Sequence, residues 1–203
     1  MCFHKCVAKI VKKMVIKARS TIIFLSTTHF LWATFCFIPF FLYLCKVEMT
    51  NNDNMKNLIA QRLSDLRDVL RREHLAAFIF PSTDPHQSEY PADHWKGRQF
   101  ISGFDGSAGT AVVTMSAAAL WTDSRYFLQA EEQLRGTEFQ LMKLKMEGTP
   151  SMAQWIGQQV ARASASATEV GLDGMVCSAS MVADLTRELR QNGGLALRTN
   201  LDP

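Results

Sequence analysis

Leucines at positions 58, 63, 66 and 70 recur every three to five residues with arginine and aspartate between them, which predicts an amphipathic helix from Met55 to about His74. Ala76 to Phe80 is a short apolar run halted by Pro81, as a buried strand would be. A polar loop follows from Ser82 to about Asp93, then a short helix through Trp95 to Ile101. Thr110–Thr114 and Ala118–Thr122 are β-branched or apolar and parted by a few small residues, which predicts two adjacent strands. Asp123 is placed to cap a helix running to about Leu134, because its carboxylate can accept from free first-turn amides. Strands are expected at Phe139–Leu144, Val170–Leu172 and Leu195–Arg198, and helices at Met152–Ala163 and Ser178–Gln191. Ala161–Ala167 reads as an alanine-rich helix end leading into a loop. Helices alternating with strands predict an α/β layer structure built on one largely buried sheet.

Ahead of this pattern lies a segment of different character. Residues 1–48 hold seven bases against the single acid Glu48, a net charge of +6, while the remaining 15 bases and 18 acids give −3. The basic balance therefore belongs to the leader, and the domain, residues 55–203, offers no charge argument for binding nucleic acid. Residues 21–45 carry no formal charge and are long enough, as a helix, to cross a bilayer. Bases precede that run, so a membrane span would leave the N-terminus inside and place the domain outside. Four of the five cysteines also lie in the leader, leaving Cys177 without a disulfide partner, and the domain reads as cytoplasmic in character. Two readings follow: a signal-anchored protein, or a chain whose translation starts at Met49 or Met55.

Few residue groups carry chemistry. Cys2 and Cys6 lack the second pair that a closed zinc site needs. Asp84, His86, Glu89, Asp93 and His94 match no metal-binding spacing and read as a polar loop bonded to its own backbone. Gly103, Gly106 and Gly109 invite a phosphate-loop reading, but no Lys-Ser/Thr follows and the next segment is a strand. A tight turn packed against the sheet is the simpler account, with positive φ at the glycines. Phe100, Phe104, Trp121, Tyr126 and Phe127 suit core or interface packing. Arg125 stands just after a strand end, where a rigid fork of donors suits a peptide carbonyl or carboxylate; its alternative is an ion pair with Asp123 or Glu131.

Pro81-Ser82-Thr83-Asp84-Pro85-His86-Gln87-Ser88-Glu89-Tyr90, Gly103-Phe104-Asp105-Gly106-Ser107-Ala108-Gly109-Thr110 and Leu120-Trp121-Thr122-Asp123-Ser124-Arg125-Tyr126-Phe127-Leu128-Gln129 together resemble the N-terminal, creatinase-type domain of the Xaa-Pro aminopeptidases. The resemblance spans roughly Asn57 to Pro203. It implies a mixed sheet flanked by helices, a homo-oligomer contacting through this domain, and Arg125 reaching toward a peptide with proline second. It also implies a separate C-terminal catalytic domain in which two Asp, one His and two Glu hold manganese or another divalent metal pair. The chain alone is then expected to hold neither catalytic nor metal-binding residues. A reading from another class makes it a non-catalytic, membrane-anchored peptide-binding or interaction module.

Overall fold

The computed structural model describes residues 53–163 and 167–201. The apolar run at 21–45, the proposed start at Met49 and the Cys2–Cys6 group lie outside the described residues. Among the described residues no helix is long and apolar enough to cross a membrane.

Helix α1 occupies residues 53–72, and His74, two residues beyond it with φ 54°, turns the chain into the first strand. The six strands are β1 (Leu75–Phe80), β2 (Thr110–Thr114), β3 (Ala118–Thr122), β4 (Phe139–Lys143), β5 (Glu169–Leu172) and β6 (Ala196–Arg198). They form one sheet in the order β4-β3-β2-β1-β5-β6. β1 pairs with β5 in parallel and with β2 antiparallel, β2 with β3 antiparallel, and the β3–β4 and β5–β6 pairs are parallel. Five strands thus share one direction and β2 alone opposes them, so the loops that follow β1, β3, β4 and β5 gather at the same end of the sheet as the loop that enters β2.

β1 lies in the middle and is buried along its whole length, as its uninterrupted apolar run requires. Its alternate side chains enter two separate cores. Phe78 and Phe80 pack with Ile59, Leu63 and Leu70 of α1, with Phe104, and with Ala130 of α3 (Phe127–Gln133) on one face. Ala77 and Ile79 pack on the other face with Ala153, Trp155 and Ile156 of α4 (Met152–Ala163) and Leu185 and Leu189 of α5 (Ala179–Gln191). Leu75 joins the α1 side, three residues from Phe78, because the β1–β5 register shifts between Leu75 and Ala77.

The expected elements are present with adjusted ends. The segment through Trp95 splits into a 3₁₀ turn, Asp93–Trp95, and helix α2 (Gly97–Ser102), with Lys96 breaking the helix at ψ 41°. The single helix expected from Asp123 to Leu134 is likewise two pieces, a 3₁₀ turn at Ser124–Tyr126 and then α3. Here the Asp123 carboxylate closes the tight turn first, so the α-helix starts only at Phe127. A 3₁₀ turn at Gly174–Val176, capped by Asp173, is an element the apolar pattern does not signal.

Candidate functional site

At the common end of the strands, three segments converge: the loop after β1, the glycine loop entering β2, and the turn after β3. Short side-chain contacts hold them together. Thr122 Oγ1 donates to the Ala108 carbonyl at 2.6 Å, and Ser82 Oγ donates to the Gly109 carbonyl. Both strand ends are thereby tied to the glycine loop.

The loop itself depends on two glycines in different ways. Gly103 ends α2 with φ 72°, the left-handed cap that a Cβ would strain. Gly106 is not at positive φ, contrary to the expectation for all three glycines; its need is space. A Cβ there would stand 2.4 Å from Phe104 Cζ and 2.8 Å from Tyr126 Cδ1. Phe104 is fully buried and meets Tyr126 edge to face at 6.1 Å, while the Tyr126 hydroxyl shares a 2.7 Å hydrogen bond with Ser107 Oγ.

Arg125 follows directly from this bed. Asp123 Oδ1 accepts from the Arg125 backbone N–H at 3.0 Å, and the same carboxylate takes the guanidinium fork, Nε at 3.0 Å and Nη2 at 2.8 Å. Of the two ion pairs open to Arg125, Asp123 makes it; Glu131 instead receives Lys143 at 2.6 Å. The Arg125 side chain is 68% exposed and its Cζ sits 5.3 Å from the Tyr126 ring centre. Hydrogen bonding from Arg125 holds the Asp123 carboxyl below the usual carboxylate range, and Asp123 in turn raises Arg125 further, with Glu89 adding its field. The guanidinium is therefore pre-aligned by a neighbour yet open to solvent on its other edge, with donors there still free for a ligand oxygen.

The acid-and-histidine loop behaves as a structural unit. Asp84 is buried and its Oδ1 accepts from the N–H groups of His86 and Ser88, both at 2.9 Å; the Ser88 amide is the main reason its carboxyl lies below the ordinary range. Thr83 and Gln87 fasten the loop to the Val176 carbonyl at 2.6 and 3.3 Å. Asp93 pairs with Lys96 at 2.6 Å, and His86, Glu89 and His94 are exposed. Among the described residues no three His, Cys, Asp or Glu side chains converge as a metal site, so a resident metal pair does not fit these residues.

Of the expected aromatic set, Phe104 and Trp121 are buried, Tyr126 and Phe127 are half-buried, and Phe100 is 58% exposed. Arg98 is the residue that sequence reasoning passes over. It is 7% exposed, donates through Nη2 to the Gly106 carbonyl, and lies with its Cζ 4.9 Å from the Phe104 ring centre. The signal for it is its spacing of three and four from the buried Ile101 and Ser102, which places an arginine on the inner face of α2.

Comparison with known proteins agrees with this architecture. Residues 62–196 match the family model described as the creatinase/prolidase N-terminal domain. The chain is 42% identical over 144 residues to a protein of Penicillium rubens named "Probable Xaa-Pro aminopeptidase P", and 44% identical over 116 residues to the Xaa-Pro aminopeptidase ApepP of Drosophila melanogaster. Those alignments take in 70% and 54% of this chain but 23% and 19% of the relatives. The crystal structure of an X-prolyl aminopeptidase from Caenorhabditis elegans, described as a cytosolic enzyme with a di-nuclear active site, superposes with a TM-score of 0.63 at 30% identity. That match covers 71% of this chain and 24% of the worm enzyme. The chain thus spans about a fifth to a quarter of the length of its relatives. With residues 62–196 of 203 inside the family model, and a solved relative that superposes on the same domain, this chain belongs to the creatinase/prolidase N-terminal domain family, as the N-terminal domain of an Xaa-Pro aminopeptidase-like protein.

Proposed function

We propose that the domain shapes the substrate site of a cytoplasmic Xaa-Pro aminopeptidase, with Arg125 contacting a peptide whose second residue is proline. The observation that carries this is the Arg125 fork: aligned by Asp123, backed by Tyr126, and 68% exposed at the end of the sheet where the loops converge. A guanidinium already oriented loses less freedom on binding an oxygen than a free side chain does. The hydrolytic step, with its manganese or other divalent metal pair, belongs to a catalytic domain outside these residues.

The same end of the sheet suits contact with a second domain or subunit. Tyr90, Leu128, Leu144, Met146 and Met175 are exposed large apolar side chains, and each lies in the segment following one of the parallel strands. Homo-oligomer formation through this apolar rim is part of the proposal.

The test is an exchange. Residues 53–201 replace the corresponding domain of the worm enzyme, and turnover of an Xaa-Pro peptide is measured with and without Arg125→Ala. Activity in the exchanged enzyme that Arg125→Ala abolishes or sharply reduces is the expected result. Equal activity in both would overturn the substrate role.

A further inference from the structure

Gly106 is where the rings of Phe104 and Tyr126 close on the glycine loop, and Arg98 is the side chain that holds its carbonyl. The guanidinium is buried on the inner face of α2, donates through Nη2 to the Gly106 oxygen, and stands with Cζ 4.9 Å from the centre of the Phe104 ring. Its Nη1 lies against Gly109, 3.2 Å from where a Cβ would stand, and neither Nη1 nor Nε has an acceptor. Asp105, the acid whose charge reaches Arg98, gives Oδ1 to the side-chain amides of Gln129 and Gln133 instead, at 2.6 and 2.7 Å.

Such a cation is a poor stabiliser. Its desolvation is costly, and apolar side chains of similar volume often replace buried charges without loss of stability. What the guanidinium does supply is direction. A peptide unit is planar, so a donor on the Gly106 oxygen fixes the plane that also holds the Ser107 N–H, and with it the direction in which Ser107 leaves the chain. Ser107 Oγ shares its 2.7 Å hydrogen bond with the Tyr126 hydroxyl, and the Arg125 guanidinium lies over the Tyr126 ring. The flanks of this unit are tied separately: Asp105 to Gln129 and Gln133 of α3, Ala108 to Thr122, and Gly109 to Ser82. Loss of the Arg98 bond therefore frees the Gly106–Ser107 unit and leaves the rest of the loop in place.

We infer that Arg98 is a positioning residue for the substrate contact: through Gly106, Ser107 and Tyr126 it sets the surface against which the Arg125 fork rests. The inference rests on the reading of Arg125 given above and adds to it a buried residue that touches no ligand. Asp123 holds the fork along one edge, through Nε and Nη2. A carboxylate alone leaves the guanidinium free to swing about the line of those two bonds, and a ring against its face limits the swing. Tyr126 is that ring, and its hydroxyl is fastened to the unit that Arg98 orients.

Two measurements test this. In the full 203-residue chain labelled with ¹⁵N-arginine, Arg98→Met, which keeps the bulk and removes the donors, should move the Nε–H resonance of Arg125. In the exchanged enzyme, Arg98→Met should lower kcat/KM for an Xaa-Pro peptide by about three- to tenfold, and by less than about twofold once Arg125→Ala is present, because residues that act through one another do not add. Ser107→Ala, at an exposed hydroxyl, cuts the same chain of contacts without disturbing the core and should give the same pattern, so the test stands even if Arg98→Met fails to fold. An unmoved Arg125 resonance in both variants, or losses that add in full to that of Arg125→Ala, would overturn the positioning role and leave the substrate role of Arg125 intact. If Arg125→Ala by itself leaves turnover unchanged, the substrate role falls instead, and the Arg125 resonance alone then decides whether Arg98 sets its direction.

Discussion

Arg125 grips the carboxylate of Asp123, two residues earlier, with Nε on Oδ1 at 3.0 Å and Nη2 on Oδ2 at 2.8 Å, and Asp123 Oδ1 also accepts the Arg125 backbone N–H at 3.0 Å. One acid thus fixes both the start of the turn and the direction of the cation. Because the pair is exposed, its own contribution to stability is small, and its use lies in orientation.

In a complete enzyme carrying this domain, Arg125→Ala should lower kcat/KM for an Xaa-Pro peptide by about ten- to a hundred-fold, the scale of one lost charge-assisted hydrogen bond. Thermal unfolding should move by no more than roughly 2 °C, as for a surface pair. Arg125→Lys should not restore activity, since a point charge lacks the fork. Steady-state kinetics and calorimetry on the same three proteins decide it: unchanged kcat/KM with a lowered midpoint makes Arg125 a purely structural residue.

Gly106→Ala should destabilise the domain by about 1–3 kcal/mol, since an added methyl would overlap Phe104 and Tyr126 and the fully buried Phe104 ring has no room to retreat. Denaturant unfolding measures it. A variant as stable as the parent would show that the loop can shift without cost and that close approach does not explain this glycine.

Asp84→Asn isolates the charge of a buried carboxylate, for the amide keeps one acceptor oxygen for the His86 and Ser88 amides. The folded-state pKa of Asp84 is lowered, chiefly by the Ser88 amide. Its contribution to stability is therefore present above the unfolded value of about 3.9 and fades as pH falls through the folded value. The gap in Tm between wild type and variant should be widest near pH 6 and close toward pH 3. A gap that stays constant with pH would assign the Asp84 effect to shape and not to charge.

Burial pushes the Cys177 thiol up to about 11, with Asp173 adding to it. Little thiolate forms at neutral pH, and alkylation by iodoacetamide should be slow in the folded protein. Unfolding should accelerate it by on the order of a hundredfold, as the pKa returns to about 8.5. Peptide mapping at residue 177 follows the reaction; equal rates in folded and unfolded protein would refute the burial argument.

The amino-acid sequence by itself determined whatever depends on near neighbours. The three-to-five spacing of Leu58, Leu63, Leu66 and Leu70 marks α1 because a helix face repeats within a few residues, and Leu63 and Leu70 are indeed buried, although Leu58 is 43% exposed and Ile59 takes the inward place beside it. The turn at Asp123 was legible for the same reason, whereas the ion pair of Arg125, open in the sequence between Asp123 and Glu131, was decided for Asp123 by the folded chain. The strand order was not legible, and only the tertiary structure decided it. β1 sits between β2 and β5, whose pairing partners are over thirty and about ninety residues away, and β2 alone runs against the rest. No local pattern encodes such neighbours, because a strand buried on both faces looks alike in either direction. Arg98 shows the same limit within the site. Its charge is plain in the sequence, but only the folded chain brings the Gly106 carbonyl and the Phe104 ring against it and leaves Nε and Nη1 enclosed without an acceptor.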